Sequence, residues 1–194
     1  MKKVEVILKV TEACNLRCKY CYECDREYPT GVFPLEKLEA LLRLLRTGYH
    51  LIHLIWHGGE PMLAGLDYFK GAMDVIRRVH IESGVVIENS IQTNGTLIDK
   101  KWAEFFRENG FRVGVSFDGA DNERFRGASA RAEAGMQALR DAHLSFGCNA
   151  VVADASYDLD ANYDFFRARG IGFDFSRMLA EGGAKSLRPM EAKA

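Results

Sequence analysis

The stretch Leu51-Ile52-His53-Leu54-Ile55-Trp56-His57-Gly58-Gly59-Glu60-Pro61 holds a nearly continuous apolar run, Leu51 to Trp56, cut off by two glycines, an acid and a proline. A run this short suits a strand covered on both faces, the setting of a parallel sheet. Just upstream, Leu35, Leu38, Leu41, Leu42 and Leu45 recur at helical spacing between Pro34, a first-turn residue, and Gly48. A second helix is predicted downstream, from about Leu66 to Ile81. Val4 to Val10, β-branched and partly alternating, reads as a strand that precedes both helices. The alternation then continues. Strands are predicted at Val85–Thr93, Phe111–Phe117, Ser145–Val152 and Ile171–Phe175, and helices at about Ile98–Glu108, Ala130–Ala142 and Leu159–Ala168. The stretch after Asp118-Gly119 reads as polar connection. Strict alternation predicts an α/β fold with a parallel sheet and right-handed crossovers, either doubly wound or a partial barrel.

Length narrows the choice. Eight β-α units take about 250 residues, whereas six units of about 30 residues come to roughly 180, close to the 194 present. Six units fit and eight do not, so a six-stranded parallel sheet is expected, doubly wound or a partial barrel. One core domain is expected over residues 1–178. Residues 179–194, with Gly182-Gly183 and a charged end, read as a tail or linker with no domain after it.

Lys and Arg number 26 against 27 Asp and Glu, and apolar residues make up 47% of the chain, an ordinary globular balance. Near-neutral charge removes the basic footprint that nucleic-acid binding needs. No apolar stretch is long enough for a membrane span, and Lys2, Lys3, Glu5 and Lys9 interrupt any signal-like segment, so a cytoplasmic protein without membrane or nucleic-acid partners is expected. The cysteines depart from the ordinary. There are 5, of which Cys14, Cys18, Cys21 and Cys24 fall within eleven residues, while Cys148 stands alone. An odd count without export signals argues against a disulfide framework and for metal or thiol chemistry.

The cysteine loop follows the first strand directly, and ligands of parallel α/β folds bind at the C-terminal ends of strands. The Gly-Gly-Glu-Pro, Thr93-Asn94-Gly95 and Ser116-Phe117-Asp118-Gly119 segments also sit at strand ends, so all four motifs converge on one rim. Cys14-x3-Cys18-x2-Cys21 can bind three corners of a cubane iron–sulfur cluster and leave the fourth iron open. The order of spacings differs from a ferredoxin run, and no proline follows Cys24. Zinc sites usually join two knuckles by a longer spacer, which makes this packing a poor zinc cage.

Thr11-Glu12-Ala13-Cys14-Asn15-Leu16-Arg17-Cys18-Lys19-Tyr20-Cys21 resembles the cluster loop of the radical S-adenosylmethionine (SAM) superfamily, C-x3-C-x-aromatic-C. The resemblance implies a 4Fe-4S cluster on Cys14, Cys18 and Cys21, with SAM chelating the open iron through its amino and carboxylate groups. It also implies a reductant such as flavodoxin or ferredoxin, and cleavage of SAM to a 5'-deoxyadenosyl radical that takes hydrogen from substrate. Trp56 to Leu63 resembles the superfamily's GGEP segment, adding Gly58, Gly59, Glu60 and Pro61 to the SAM-binding set. Glycines allow close backbone approach to a ligand, and Glu60 with exposed carbonyls offers acceptors for an ammonium group.

Ser90 to Ile98 and Val115 to Gly119 resemble strand ends of peptide- and protein-modifying members, which include anaerobic sulfatase-maturating enzymes and ribosomal-peptide maturases. That resemblance adds Gln92, Asn94 and Ser116, and places Arg126 on the ribose or carboxylate of SAM; an arginine fork suits a carboxylate. Arg124 competes for this role, because the segment before it is shorter than the family's His-Asp-x2-Arg and lacks its His. Asn94-Gly95 read alone is a turn, and Ser116 a strand-end hydroxyl. Tyr20 is expected against the cluster loop, facing the adenine. Asp118 is a candidate for proton handling, or else a turn cap with Gly119. Of the five histidines, which show no metal-ligand spacing, His57 alone adjoins a motif.

The resemblance implies a partial (β/α)6, TIM-like barrel with a six-stranded parallel sheet, and SAM-radical modification of a peptide or protein. The alternatives are a glycyl-radical activating enzyme and a non-catalytic iron–sulfur protein. Such relatives usually continue into a cysteine-rich extension with auxiliary clusters, which is expected to be absent here.

Overall fold

The computed structural model describes residues 2–22 and 31–178. Cys24 and the expected tail lie outside these residues. Six parallel strands, β1 (Lys3–Thr11), β2 (Leu51–Gly58), β3 (Val86–Thr93), β4 (Arg112–Ser116), β5 (Phe146–Val152) and β6 (Gly172–Arg177), pair in sequential order. A doubly wound sheet would reverse its order at a switch point. The unbroken order 1 to 6 instead sends every crossover the same way, which is the winding of a partial barrel.

Between the strands lie α1 (Leu35–Leu45), α2 (Leu66–Ser83), α3 (Lys100–Glu108), α4 (Asn122–Phe125), α5 (Ser129–Asp141) and α6 (Leu159–Ala168). Polar residues set several of their ends. Asp99 and Asp158 accept from Trp102 and Ala161 N–H at 2.9 Å and so cap α3 and α6, while α2 stops at Gly84 with φ 72°. The short α4 occupies a stretch that reads as polar connection, because four residues are too few to show helical periodicity. Asn122 builds it: its side chain accepts from Asp118 N–H at 3.1 Å and donates to Gly127 O and Ser129 Oγ. Phe125 then turns inward against Tyr20.

One face of the sheet supplies the core. Ile52, Leu54 and Trp56 of β2 are fully buried, and Trp56 packs on Phe69 of α2 with ring centroids 5.2 Å apart. Trp102, Phe105, Phe106 and Phe111 extend this cluster. The opposite face is polar: Glu5, His53 and Ser90 form a hydrogen-bonded row across β1, β2 and β3. Gln92, Ser116 and Asn149 continue that face toward the C-terminal rim.

Candidate functional site

β1 ends in an irregular step between Lys9 and Thr11, and the cysteine loop leaves from there. It runs against the end of β2. Gly59 N–H donates to Thr11 O at 2.9 Å and Glu60 N–H to Ala13 O at 2.8 Å. A Cβ on Gly58 would come within 2.2 Å of Thr11 O, and one on Gly59 within 2.3 Å of Ala13 O. Both contacts are with main chain, which cannot swing aside. The close approach that these glycines permit is therefore to the cysteine loop itself.

Two polar clamps hold the loop on its other sides. Asn15 donates to Thr96 Oγ1 at 2.9 Å and accepts from Asn94 Nδ2 at 2.8 Å, tying the loop to the end of β3. Across the rim, Lys19 N–H donates to Phe125 O at 2.9 Å, and the Tyr20 hydroxyl donates to Asp118 Oδ2 at 2.6 Å. Cys14, Cys18 and Cys21 are half-buried and unbridged. All three face one cavity of about 470 Å³.

The strand ends complete the wall. Gly58 and Gly59 line it from β2, Gln92 and Asn94 from β3, and Ser116 from β4. Gln92 Nε2 donates to Ser116 Oγ at 2.7 Å, crossing Gly114, where a Cβ would meet Gln92 Oε1 at 2.3 Å. Tyr20, His57 and Arg126 also line the cavity. Arg124 does not. It turns outward to Ser156 Oγ at 2.5 Å and lies over the Phe125 ring, so the structure separates the two arginines.

Glu60 and Pro61 stand behind the wall. The Glu60 carboxylate is fully buried and accepts from Met62 N–H at 3.0 Å, Asn94 N–H at 2.7 Å and Thr93 Oγ1 at 2.9 Å. Its acceptor capacity is spent on protein donors, so it presents no side-chain oxygen to a ligand's ammonium. Burial raises its pKa, while these donors oppose the shift. Asp118 is not the expected turn cap: it makes no side-chain cap, and it sits fully buried behind Tyr20, with Oδ1 taking Val151 N–H at 2.9 Å.

Electrostatics at the rim favour a ligand that brings its own charge. Burial pushes the Cys14 thiol up and Cys18 to about 11, with Arg126 pulling against both. Uncharged thiols therefore prevail at neutral pH until a metal displaces their protons. Burial also works against the Arg126 charge, but Tyr20 and Asp118 outweigh it and hold the guanidinium above its ordinary pKa. Arg126 Nη1 donates to Tyr20 Oη at 2.8 Å, while its buried Nε has no partner among the described residues. A buried donor left unpaired costs free energy.

The donor set fits an iron–sulfur cubane better than a single ion. Among the described residues no three His, Cys, Asp or Glu side chains gather closely enough to ligate one metal ion. A cubane takes each thiolate on a different iron, and three thiols around one open cavity match that demand. Sequence reasoning missed Asn15, along with Asn149, Val151, Arg177 and Met178, which line the cavity from the ends of β5 and β6. The strand-end rule was a usable signal, since Asn149 is the register partner of Ser116.

A family model, the Radical SAM superfamily, matches residues 8–152. This chain belongs to the radical SAM superfamily. The match takes in the end of β1, the cysteine loop and β2 to β5 of this radical SAM core. A serine-type anaerobic sulfatase-maturating enzyme of Klebsiella aerogenes is 34% identical over 186 residues, covering 89% of this chain and 46% of the relative. A cysteine-type anaerobic sulfatase-maturating enzyme of Clostridium perfringens is 39% identical over 126 residues, covering 61% of this chain and 34% of the relative. The solved structure of native anSMEcpe with bound AdoMet and the Cp18Cys peptide superposes with a TM-score of 0.82 at 28% identity, covering 91% of this chain and 52% of that one. The chain thus spans less than half the length of these two curated relatives. No helix among the described residues is long and apolar enough to cross a membrane.

Proposed function

We propose that residues 1–178 form a catalytic core that cleaves SAM reductively and uses the resulting radical to modify a side chain of a peptide or protein. The observation that carries this reading is the sharing of one cavity, at the C-terminal ends of the strands, by three cysteines and the Arg126 side chain. Cys14, Cys18 and Cys21 hold the 4Fe-4S cluster. Cluster and SAM together supply one-electron cleavage of the sulfonium and a 5'-deoxyadenosyl radical able to abstract hydrogen, given a flavodoxin- or ferredoxin-type reductant.

The chain's own residues bind and orient. The Arg126 guanidinium takes the SAM carboxylate, the Gly58–Gly59 edge lies along the methionine part, and Ser116 with Gln92 and Asn94 faces the nucleoside. Tyr20 lines the same wall. Glu60 and Pro61 act from behind by fixing that edge. Serine-type and cysteine-type sulfatase-maturating relatives, and the peptide bound to anSMEcpe beside AdoMet, support a peptide or protein substrate. Four unbridged cysteines among the described residues suit a reducing cytoplasm, and near-neutral charge supports no nucleic-acid partner.

Anaerobic reconstitution with iron and sulfide, followed by dithionite, SAM and sulfatase-derived peptides carrying Cys or Ser, tests the proposal. Expected are 5'-deoxyadenosine and a mass change in one peptide, with Cys18→Ala abolishing both and Cys24→Ala retaining the cluster. Absence of 5'-deoxyadenosine would overturn the enzymatic reading. Its formation with every peptide unchanged would overturn the substrate.

A further inference from the structure

Tyr20 stands between two charges. Its hydroxyl donates to Asp118 Oδ2 at 2.6 Å and accepts from Arg126 Nη1 at 2.8 Å, and the Arg126 Cζ lies 5.6 Å from the centre of the Tyr20 ring. One hydroxyl therefore joins a buried carboxylate to a guanidinium on the cavity wall. Asp118 is immobile: Oδ1 takes Val151 N–H from the end of β5, and its own N–H is held by Asn122 Oδ1. Tyr20 is fixed as well, packed on Phe125 and anchored through the neighbouring Lys19 N–H to Phe125 O.

A guanidinium beside a buried carboxylate ordinarily closes on it in a bidentate pair. Here the tyrosine hydroxyl fills the intervening place. It satisfies one guanidinium nitrogen, Nη1, at a distance from Asp118, while the Arg126 side chain lines the cavity. We infer that Tyr20, braced by Asp118, is a positioning residue: its hydroxyl keeps Arg126 off Asp118 and turned toward the carboxylate of SAM. Because Tyr20 lies between two cysteines of the loop, the same contact makes the carboxylate site depend on loop placement. The inference rests on the reading of Arg126 as the carboxylate partner.

The test compares SAM with decarboxylated SAM, by equilibrium dialysis against the cluster-loaded full chain. The decarboxylated ligand loses its bond to the cluster in every variant alike, so that loss cancels in the comparison. Tyr20→Phe keeps the ring and removes the hydroxyl. It is expected to weaken SAM about tenfold, the size of one charge-assisted hydrogen bond, and to leave the decarboxylated ligand unchanged. Iron content should match the wild type, while the melting temperature should fall, because buried Asp118 and Arg126 each lose a hydrogen-bond partner.

Arg126→Gln should show the same selectivity, and the double variant should bind SAM no worse than Arg126→Gln alone. Asp118→Asn, which exchanges an ionised acceptor for a neutral amide, should give a smaller loss of the same selectivity. It serves as the readout if Tyr20→Phe loads less iron. Equal weakening of both ligands by Tyr20→Phe and Asp118→Asn, or of neither, would overturn the positioning role. Weakening of SAM but not of the decarboxylated ligand by Arg126→Gln, with no such selective weakening by the other two, overturns this inference alone. An unselective Arg126→Gln overturns the carboxylate reading beneath it.

Discussion

Glu60 shows how a single residue can serve a site that it does not touch. Two backbone N–H groups, from Met62 and Asn94, point at different oxygens of its carboxylate, and the Thr93 hydroxyl bridges both. A proton on either oxygen would have to face a donor, so the ionised form fits this cage even though burial raises the pKa. Glutamine keeps the shape and turns one acceptor into an amide that confronts a backbone N–H. Glu60→Gln is therefore expected to destabilise the fold by about 1–3 kcal/mol, read as a lower denaturant midpoint with an unchanged slope. An unshifted midpoint would show that the cage carries no stability. The motif's glutamate was legible as a residue of consequence. Its role was not, because a spacing says nothing about which side of the strand end the carboxylate takes.

Among the elements, the helices hold the strand ends in place by close approach and by charge. A Cβ on Gly135 of α5 would meet Gly95 O at 2.1 Å, so α5 seats directly on the Asn94–Gly95 turn that grips the cysteine loop. On the outer surface α1 and α2 are locked by ions: Arg43 contacts both Glu39 and Glu82, donating to Glu82 Oε1 at 3.0 Å, and Arg78 donates to Glu39 at 2.9 Å. Hydrogen bonds from Arg43 hold the Glu39 and Glu82 carboxyls below their ordinary 4.5. A depressed carboxylate stabilises the fold above its unfolded pKa and stops doing so as pH falls through its folded value. Below about pH 4.5 the denaturant midpoint of the wild type should therefore fall more steeply than that of Arg43→Ala, which keeps only the Arg78–Glu39 pair. Parallel curves would show that the exposed ions contribute nothing, the common result for isolated surface pairs.

For the whole molecule, six β-α units around a parallel sheet were legible because alternation of apolar runs with helical spacing survives from Val4 to Phe175, and because length excluded eight units. Winding was not. Periodicity cannot order strands, and the sequential 1 to 6 pairing came from the structure. The cysteine loop and the glycines were legible as motifs, whereas α4 and the Tyr20–Asp118–Arg126 array were not. Those contacts span about a hundred residues of sequence and leave no local pattern. Together these parts make a rim where three cysteines and the Arg126 side chain share one cavity. The most direct test is electron paramagnetic resonance of the reduced, reconstituted protein, recorded before and after SAM is added. The account predicts a cubane signal that shifts on SAM addition and that is missing from Cys18→Ala. A signal that SAM leaves unchanged, or one that survives loss of Cys18, would contradict it.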